Sequence, residues 1–469
     1  MTSNIDTLDL RFRTALRRMK AAGRLRAYAK TVDTEFELAA IMKKLDGEEA
    51  LLFTDVKGHA MPVIGNFLGS PGNCEAAFGA DAEQIRGFVE RALGDPKPPA
   101  VIENAPAHEV VHLDDIDIGK MLPVMRHTRR DAGRFITAGI VVFKDPDSGI
   151  YNASYHRLQL LGGNKTAIKL DYGRHLRLAF ERSQARGQDL AVAVCLGTDV
   201  ALHFVAATMG SQLPEDADEL AVAGGLAGRP MPVVQAKSQD LLVPADTEIV
   251  LEGTISAKET VREGPFGEFI GLMSPEGDAP IVTISALTHR KDPIYYSING
   301  YARETVMLRK YVMEATLLKV LRAATPIVKD AEMTPGGLHR FNAVISVEKT
   351  SPGHEGLQRN AMLAAFGALK DLDLIIMVDD DIDIRDPMDV EYALAMRFEA
   401  SKDVIVIPGT RAHEMVRASN NGIRAKLGLD ATVPVEEKAE YTRLRFEATG
   451  ASRDDLSEVP DEIARWFER

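Results

Sequence analysis

The sequence predicts a multidomain protein of mixed α+β and α/β class, with an N-terminal α/β segment, a β-rich middle, and a C-terminal α/β domain joined to it by a long helix. Three observations predict it. At 469 residues the chain exceeds what one hydrophobic core usually organises, so two or three domains are expected. Between residues 135 and 252 short apolar runs are separated by turn residues, the pattern of a strand-rich unit. From residue 341 strand-like and helix-like runs alternate, which argues for a layered α/β domain with a mixed or parallel sheet.

The elements follow in order. Leu8, Phe12, Ala15, Leu16 and Met19 fall at helical spacing, and Gly23 stands where a left-handed cap ends a helix. Residues 50–70 read as two strands around a turn at Lys57–Gly58, residues 82–93 as a helix, and the Pro-rich run from Pro96 to Pro106 as an exposed connection. FITAGIVVF (135–143) and YNASYHRLQ (151–159) read as strands joined by a hairpin turn over Asp145–Gly149. AIKL (167–170), a helix from about Tyr172 to Gln184, the strand LAVAVCLG (190–197) and a helical run after Asp199 come next. Strands near 231–235 and 248–252 lead to REGPFGEFIG (262–271). The β-rich core is expected over about 110–303 within an N-terminal unit of 1–303, followed by a linker helix over 304–324 and a C-terminal domain over 325–450. The C-terminal domain reads as strand 341–348, helix 354–371, strand 374–381, helix 388–400 and strand 404–409. Within 451–469, Pro460–Arg469 reads as a helix with Ile463, Trp466 and Phe467 on one side, a stripe suited to a subunit contact.

Composition narrows the function. Hydrophobic residues make up 45% and charged residues 27%, the profile of a folded globular protein. A formal net charge of -13 repels polyanions, so nucleic acid and anionic membranes are unsuited partners. No apolar run reaches the roughly 18 residues of a spanning helix, and the first 30 residues mix charged and apolar types, so a cytoplasmic location is expected. The two cysteines, Cys74 and Cys195, are too few for a disulfide framework or thiolate cluster and read as buried small hydrophobes. The acidic run Asp379–Asp383 reads as a turn and helix-capping device at a strand end rather than a metal site.

Two residue sets carry candidate chemistry. Asn152, His175 and Glu219 offer amide oxygen, imidazole and carboxylate, a mixed set suited to Mn²⁺ or Mg²⁺. The same three also fit a strand end, a surface histidine and a solvated carboxylate. Arg157, Glu263 and Glu268 form the second set. The two glutamates bracket Gly-Pro-Phe-Gly, a turn able to return its flanks to one point, and an arginine between carboxylates favours ionisation of one while a desolvated neighbour carries a proton. On the residues alone, a surface salt-bridge network is the plainer reading of this set. In a regular strand Asn152 and Arg157, five apart, point to opposite faces, so they serve different parts of a large ligand unless a bulge intervenes.

Read together, LLFTDVKGHAMPVIGNFLGS, GRFITAGIVVFKDP, NASYHRLQ, LLVPADTEIVLEG, EGPFGEFIG, VDDDIDIRDP and DVIVIPGTR resemble the UbiD-type decarboxylases that use prenylated flavin mononucleotide, over nearly the whole chain. The resemblance implies a split-β-barrel-like flavin-binding domain and a C-terminal α/β oligomerisation domain. It implies that Asn152, His175 and Glu219 hold a divalent metal, Mn²⁺ or Mg²⁺, bridging to the cofactor phosphate, with K⁺ as a further ion. It makes Arg157, Glu263 and Glu268 the catalytic network, with Glu268 as general acid/base, and makes Ser154, Tyr155, His156, Arg157, Thr208, Met209 and Gly210 cofactor-binding. The implied reaction is reversible, non-oxidative decarboxylation of an aromatic, heteroaromatic or α,β-unsaturated acid. A homodimer or larger even assembly, and a flavin prenyltransferase as cofactor supplier, are implied partners. The chain departs from the family pattern at His156, where a tyrosine is usual, and at Gly210, where a proline is usual. A longer loop ahead of Glu219 makes Glu215 an alternative ligand. Lys370 is the nearest candidate for a phosphate lysine, and Tyr301 and Phe269 for substrate contacts. The alternatives are a subunit of a multi-protein aromatic carboxylase and a non-catalytic flavin-binding scaffold.

Overall fold

The computed structural model describes residues 7–171, 173–208, 213–214, 216–416, 418–419, 421–444, 455–464 and 466. At its centre is a nine-stranded sheet in the order Phe135–Ile136, Leu158–Gly162, Lys165–Ile168, Gly277–His289, Ile249–Glu263, Leu190–Leu196, Ile140–Lys144, Tyr151–Tyr155, with Val110–His112 added beside Gly277–His289. Every pairing in it is antiparallel. The two ends of this order are neighbours in the chain. Phe135–Ile136 passes into Ile140–Lys144 through residues 137–139, and Tyr151–Tyr155 passes into Leu158–Gly162 through His156 and Arg157 alone. Such short crossings are possible only because the sheet curls until its ends meet, where the His156 amide donates to the Gly139 carbonyl at 3.3 Å. Register shifts at Glu252/Gly253 and Ile255/Thr260 in the 15-residue strand supply local bends that assist the curl.

The N-terminal segment packs on this unit. Helix Phe12–Ala21 buries Phe12, Ala15, Leu16 and Met19, the spacing read from sequence, and Gly23 follows with φ +68°. A four-stranded sheet orders Leu25–Tyr28, Ala50–Phe53, Val63–Gly65 and Tyr295–Tyr296, so its last strand comes from beyond the curled sheet. Residues Ala100–Val101 of the Pro-rich run pair in parallel with Pro232–Gln235, so that connection is partly anchored.

Helix Arg303–Ala324 joins two cores. Met307, Leu308, Tyr311, Val312 and Ala315 belong to the first, and Met313, Leu317, Leu318 and Leu321 to the second. The second core lies beneath a five-stranded mixed sheet, Val328–Met333, Asn342–Val347, Leu374–Asp379, Ile423–Ala431 and Val404–Arg411 in order, its three central strands parallel. Helix Leu357–Ala368 buries Ala361, Met362, Ala365 and Phe366 against it. This is the mixed α/β multidomain architecture expected.

Several elements differ from the sequence reading. Gly277–His289 and Ile423–Ala431 are strands, and Glu37–Lys44 and Pro71–Phe78 are helices, in stretches where none was read. The C-terminal helix is described only over Asp461–Ala464; Trp466 is 64% exposed, and Phe467 lies outside the described residues. Cys74 and Cys195 are buried free thiols, and burial pushes both pKa values up. No helix among the described residues is long and apolar enough to cross a membrane.

Candidate active site

The site is built where the curled sheet closes. Because the strand carrying Asn152 ends at Tyr155 and a new one begins at Leu158, the two-residue alternation is reset at His156–Arg157. Asn152 and Arg157 therefore belong to opposite ends of the sheet order, and each meets its own group of partners.

Asn152 meets two helix starts. His175 opens helix His175–Ala185 and Glu219 opens helix Glu219–Ala227, whose N-cap Asp218 accepts from the Leu220 and Ala221 amides. The Asn152 Nδ2 donates to Glu219 Oε1 at 2.5 Å and lies 2.8 Å from His175 Nδ1, which is 3.5 Å from that same carboxylate oxygen. Asn152 and Glu219 are 5% and 3% exposed. Two further acceptors, Asn152 Oδ1 and Glu219 Oε2, are buried without a hydrogen-bond partner. Buried acceptors without donors are costly, and a divalent cation relieves that cost, so these residues fit a hard or borderline metal. Burial raises the Glu219 pKa to about 7, and a cation beside it favours the ionised carboxylate.

Arg157 meets the two glutamates. Its Nε and Nη2 donate to the two oxygens of Glu263 at 2.8 and 2.9 Å, Nη1 donates to Glu268, and Nη2 also reaches Ser274 Oγ at 3.0 Å. Its guanidinium lies 5.1 Å from the Phe266 ring centroid. The loop between the glutamates is fixed by its surroundings: Asp131 Oδ1 accepts from the Gly267 amide at 3.0 Å, and Gln159 Oε1 from the Gly264 amide at 2.9 Å. The Glu268 amide donates to the Leu272 carbonyl at 2.9 Å, closing a turn that presents its carboxylate to Arg157. Burial raises the Glu268 pKa, opposed by Arg157 and Lys169.

Ser154, Tyr155, His156, His175, Thr208 and Glu219 line one cavity together with Asp171, Arg174 and Arg309. His156 now has a role. Its Nδ1 lies 3.2 Å from the Lys169 carbonyl, which can only accept, so Nδ1 carries the proton and Nε2 accepts from Ser154 Oγ at 3.1 Å. Burial lowers its pKa, which keeps the ring neutral. Tyr155 Oη hydrogen-bonds His203 Nδ1 and stacks on that ring at 5.9 Å. Thr208 caps helix Val200–Ala207 and donates to the Phe204 carbonyl at 3.0 Å. Met209, Gly210 and Glu215 lie outside the described residues.

The remaining candidates are placed elsewhere. Phe269 reaches the C-terminal domain, stacking on Phe341 at 6.4 Å and meeting His413 edge-on at 5.8 Å. Tyr301 is 51% exposed, beneath Lys43. Lys370 does not line the cavity. Asp379 and Asp381 are paired with Arg397, and no group of three His, Cys, Asp or Glu side chains among the described residues could hold a metal ion. Sequence reasoning missed Arg174 and Arg309, two cations on the cavity wall that no local pattern marks.

Comparisons with known proteins bear on the family and the fold. Models of the 3-octaprenyl-4-hydroxybenzoate carboxy-lyase N-terminal, Rift-related and C-terminal domains match residues 16–92, 100–302 and 306–431. Anhydromevalonate phosphate decarboxylase of Methanosarcina mazei is 34% identical over 92% of this chain and 98% of its own length; that of Methanothermobacter thermautotrophicus is 30% identical over 88% and 95%. The UbiD-class enzyme HmfF from Pelotomaculum thermopropionicum, solved with FMN, superposes with a TM-score of 0.89 at 35% identity, covering 97% of this chain and 100% of its own. An evolved dimeric form of HmfF, solved with prenylated FMN, gives 0.85 at 34%, covering 96% and 99%. Apo 3,4-dihydroxybenzoic acid decarboxylase from Klebsiella pneumoniae gives 0.88 at 26%, covering 94% and 98%. With three successive domain models matched and its fold shared from end to end, the chain belongs to the UbiD family of carboxy-lyases.

Proposed function

We propose that the protein catalyses reversible, non-oxidative decarboxylation of an aromatic, heteroaromatic or α,β-unsaturated carboxylic acid with prenylated FMN, and that Glu268 is its general acid/base. The observation that carries this reading is the asymmetry around Arg157. Glu263 accepts two guanidinium donors and is 2% exposed, whereas Glu268 accepts one, and burial favours its protonated form. A carboxyl poised in this way can give a proton to carbon and take it back. Relatives named as decarboxylases, and neighbours solved with FMN or prenylated FMN, support the same assignment.

Prenylated FMN, when bound, supplies the electron sink for loss of carbon dioxide. The chain's own residues hold and protonate. Asn152, His175 and Glu219 would hold Mn²⁺ or Mg²⁺, which would neutralise the cofactor phosphate, and Arg174 adds a cation to the same cavity wall, which Lys370 does not line. Ser154, Tyr155, His156 and Thr208 form the cavity wall, while Met209 and Gly210 are assigned to the cofactor by the family resemblance alone. Arg157 orients Glu268 and draws in the substrate carboxylate; Glu263 holds Arg157 in place. The reading carries with it a homodimer or larger even assembly and a flavin prenyltransferase that provides the cofactor.

The test is direct. Protein co-produced with a flavin prenyltransferase should bind a chromophore and release carbon dioxide from members of a panel of aromatic and acrylic acids. Glu268→Gln should keep the chromophore and lose turnover. Full activity in that variant removes Glu268 as the acid, and a colourless, inactive wild-type preparation removes the cofactor assignment.

A further inference from the structure

We infer that His112 and His289 form a second metal site, outside the cavity, which takes a divalent transition ion of borderline softness, Zn²⁺ foremost, and clips an outlying strand to the central sheet. Neither residue lines the cavity. Val110–His112 is a three-residue strand added beside Gly277–His289. In their antiparallel register His112 stands opposite Leu287, and His289 opposite Val110. Residues two apart on a strand share a face, so the two imidazoles stand diagonally on one face of the pair. Their Nε2 atoms are 3.3 Å apart, with ring centroids 5.4 Å apart and ring planes inclined by 23°. Both side chains are half-buried, so solvent and ions reach them.

Spacing, tautomer and donor type point to a metal rather than to a bare hydrogen bond. The observed 3.3 Å exceeds the usual hydrogen-bond separation of about 2.9–3.0 Å. Two imidazole nitrogens, each about 2.0–2.1 Å from a tetrahedral Zn²⁺, stand about 3.3–3.4 Å apart. His289 Nδ1 lies 2.6 Å from the Arg290 carbonyl, which can only accept, so Nδ1 carries the proton and Nε2 presents its lone pair towards His112. Ligating histidines are held in this way, the other ring nitrogen donating to a backbone carbonyl. Two imidazoles without a carboxylate suit Zn²⁺, Cu²⁺ or Ni²⁺ and suit Mg²⁺ and Mn²⁺ poorly. No third His, Cys, Asp or Glu side chain among the described residues completes the set, so water fills the remaining positions. The two ligands are 177 residues apart and meet only in the folded chain, so an ion bridging them stabilises the fold and fixes the short strand in place.

The test reads zinc uptake by the whole protein. Wild type, H112Q, H289Q and the double variant are saturated with Mn²⁺, which an imidazole pair holds weakly, and then titrated with Zn²⁺ against a chromophoric indicator. Free Zn²⁺ is buffered up to about 0.1 mM, where a Kd of that size still half-fills a site. Wild type should take up one Zn²⁺ per chain more than the double variant, and each single variant should hold that ion at least about tenfold more weakly. Equal uptake by wild type and the double variant overturns the site, and so does undiminished affinity in either single variant. A second measurement needs no variant. In wild type, free Zn²⁺ at about ten times its Kd should slow carbethoxylation of His112 and His289 by diethyl pyrocarbonate about tenfold, read residue by residue by mass spectrometry. Unchanged rates at either histidine, or equal protection by Mg²⁺, overturn the proposal whether or not the variants fold. Neither readout involves flavin or carbon dioxide, so the outcome is independent of the decarboxylase reading.

Discussion

Arg157→Met is the sharpest perturbation of the acid/base network. It removes three donors at once and leaves the Glu263 carboxylate, whose side chain is 2% exposed, without its bidentate partner. Arg157 itself is 9% exposed, so water cannot replace the lost bonds without rearrangement. Breaking one side of a buried ion pair costs about 3–5 kcal/mol, and that is the loss expected at pH 8. Adding Glu263→Gln removes the uncompensated charge and should recover much of the stability. The assay is urea unfolding of the wild type, both single variants and the double variant at pH 8, read as a double-mutant cycle. A coupling below about 0.5 kcal/mol, in the range of exposed pairs, refutes the picture of a buried coupled unit.

Metal binding should depend on pH through Glu219. With its folded pKa raised to about 7, binding Mn²⁺ below that value displaces a proton, so affinity should rise by up to about tenfold per unit towards pH 7 and level off above it, as measured by calorimetry in two buffers. The metal-free protein should correspondingly lose stability as pH rises from about 4.3 to 7, because the folded state holds the extra proton. His156→Phe leaves the Lys169 carbonyl and Ser154 hydroxyl without a ring partner and should cost about 1–3 kcal/mol by thermal unfolding; since the ring is neutral, the cost should match at pH 7 and 8.5. Gly253→Ala places a methyl group against the Thr283 carbonyl oxygen of the paired strand, a backbone atom that cannot rotate away. It should destabilise by at least the roughly 3 kcal/mol at the top of the usual overpacking range, and an unchanged melting temperature would contradict the strand register.

Much of this was legible in sequence because it is local. The first helix shows its buried stripe at Phe12, Ala15, Leu16 and Met19, and two of the three parallel strands of the C-terminal sheet, Asn342–Val347 and Leu374–Asp379, are largely apolar runs. Ile423–Ala431 escaped notice because IRAKLGLDA mixes Arg, Lys, Gly and Asp into a strand that becomes regular only through pairing on both sides. The site was half legible. Residue types and the family resemblance named the two sets, but the apparent conflict between Asn152 and Arg157 assumed one regular strand. Only the three-dimensional closure of the sheet shows two strands there, with His156 turned between Ser154 and Lys169. Arg309 was invisible for a different reason. A single arginine in a 22-residue helix carries no pattern, and its neighbours Phe269 and Arg340 come from far along the chain.

The placement of Tyr295–Tyr296 beside Val63–Gly65 has a consequence for how the molecule is made. On the ribosome, Val63–Gly65 emerges early and can pair with Ala50–Phe53, but its other edge must wait until more than two hundred further residues have been synthesised. Until then it is an open template in a chain whose curled sheet is also incomplete, since Gly277–His289 is another late strand. Pairings this distant in sequence make folding slow and leave edges exposed to other nascent chains. Production yield should therefore respond to slower, cooler synthesis and to chaperone supply more than the stability of the finished fold would suggest.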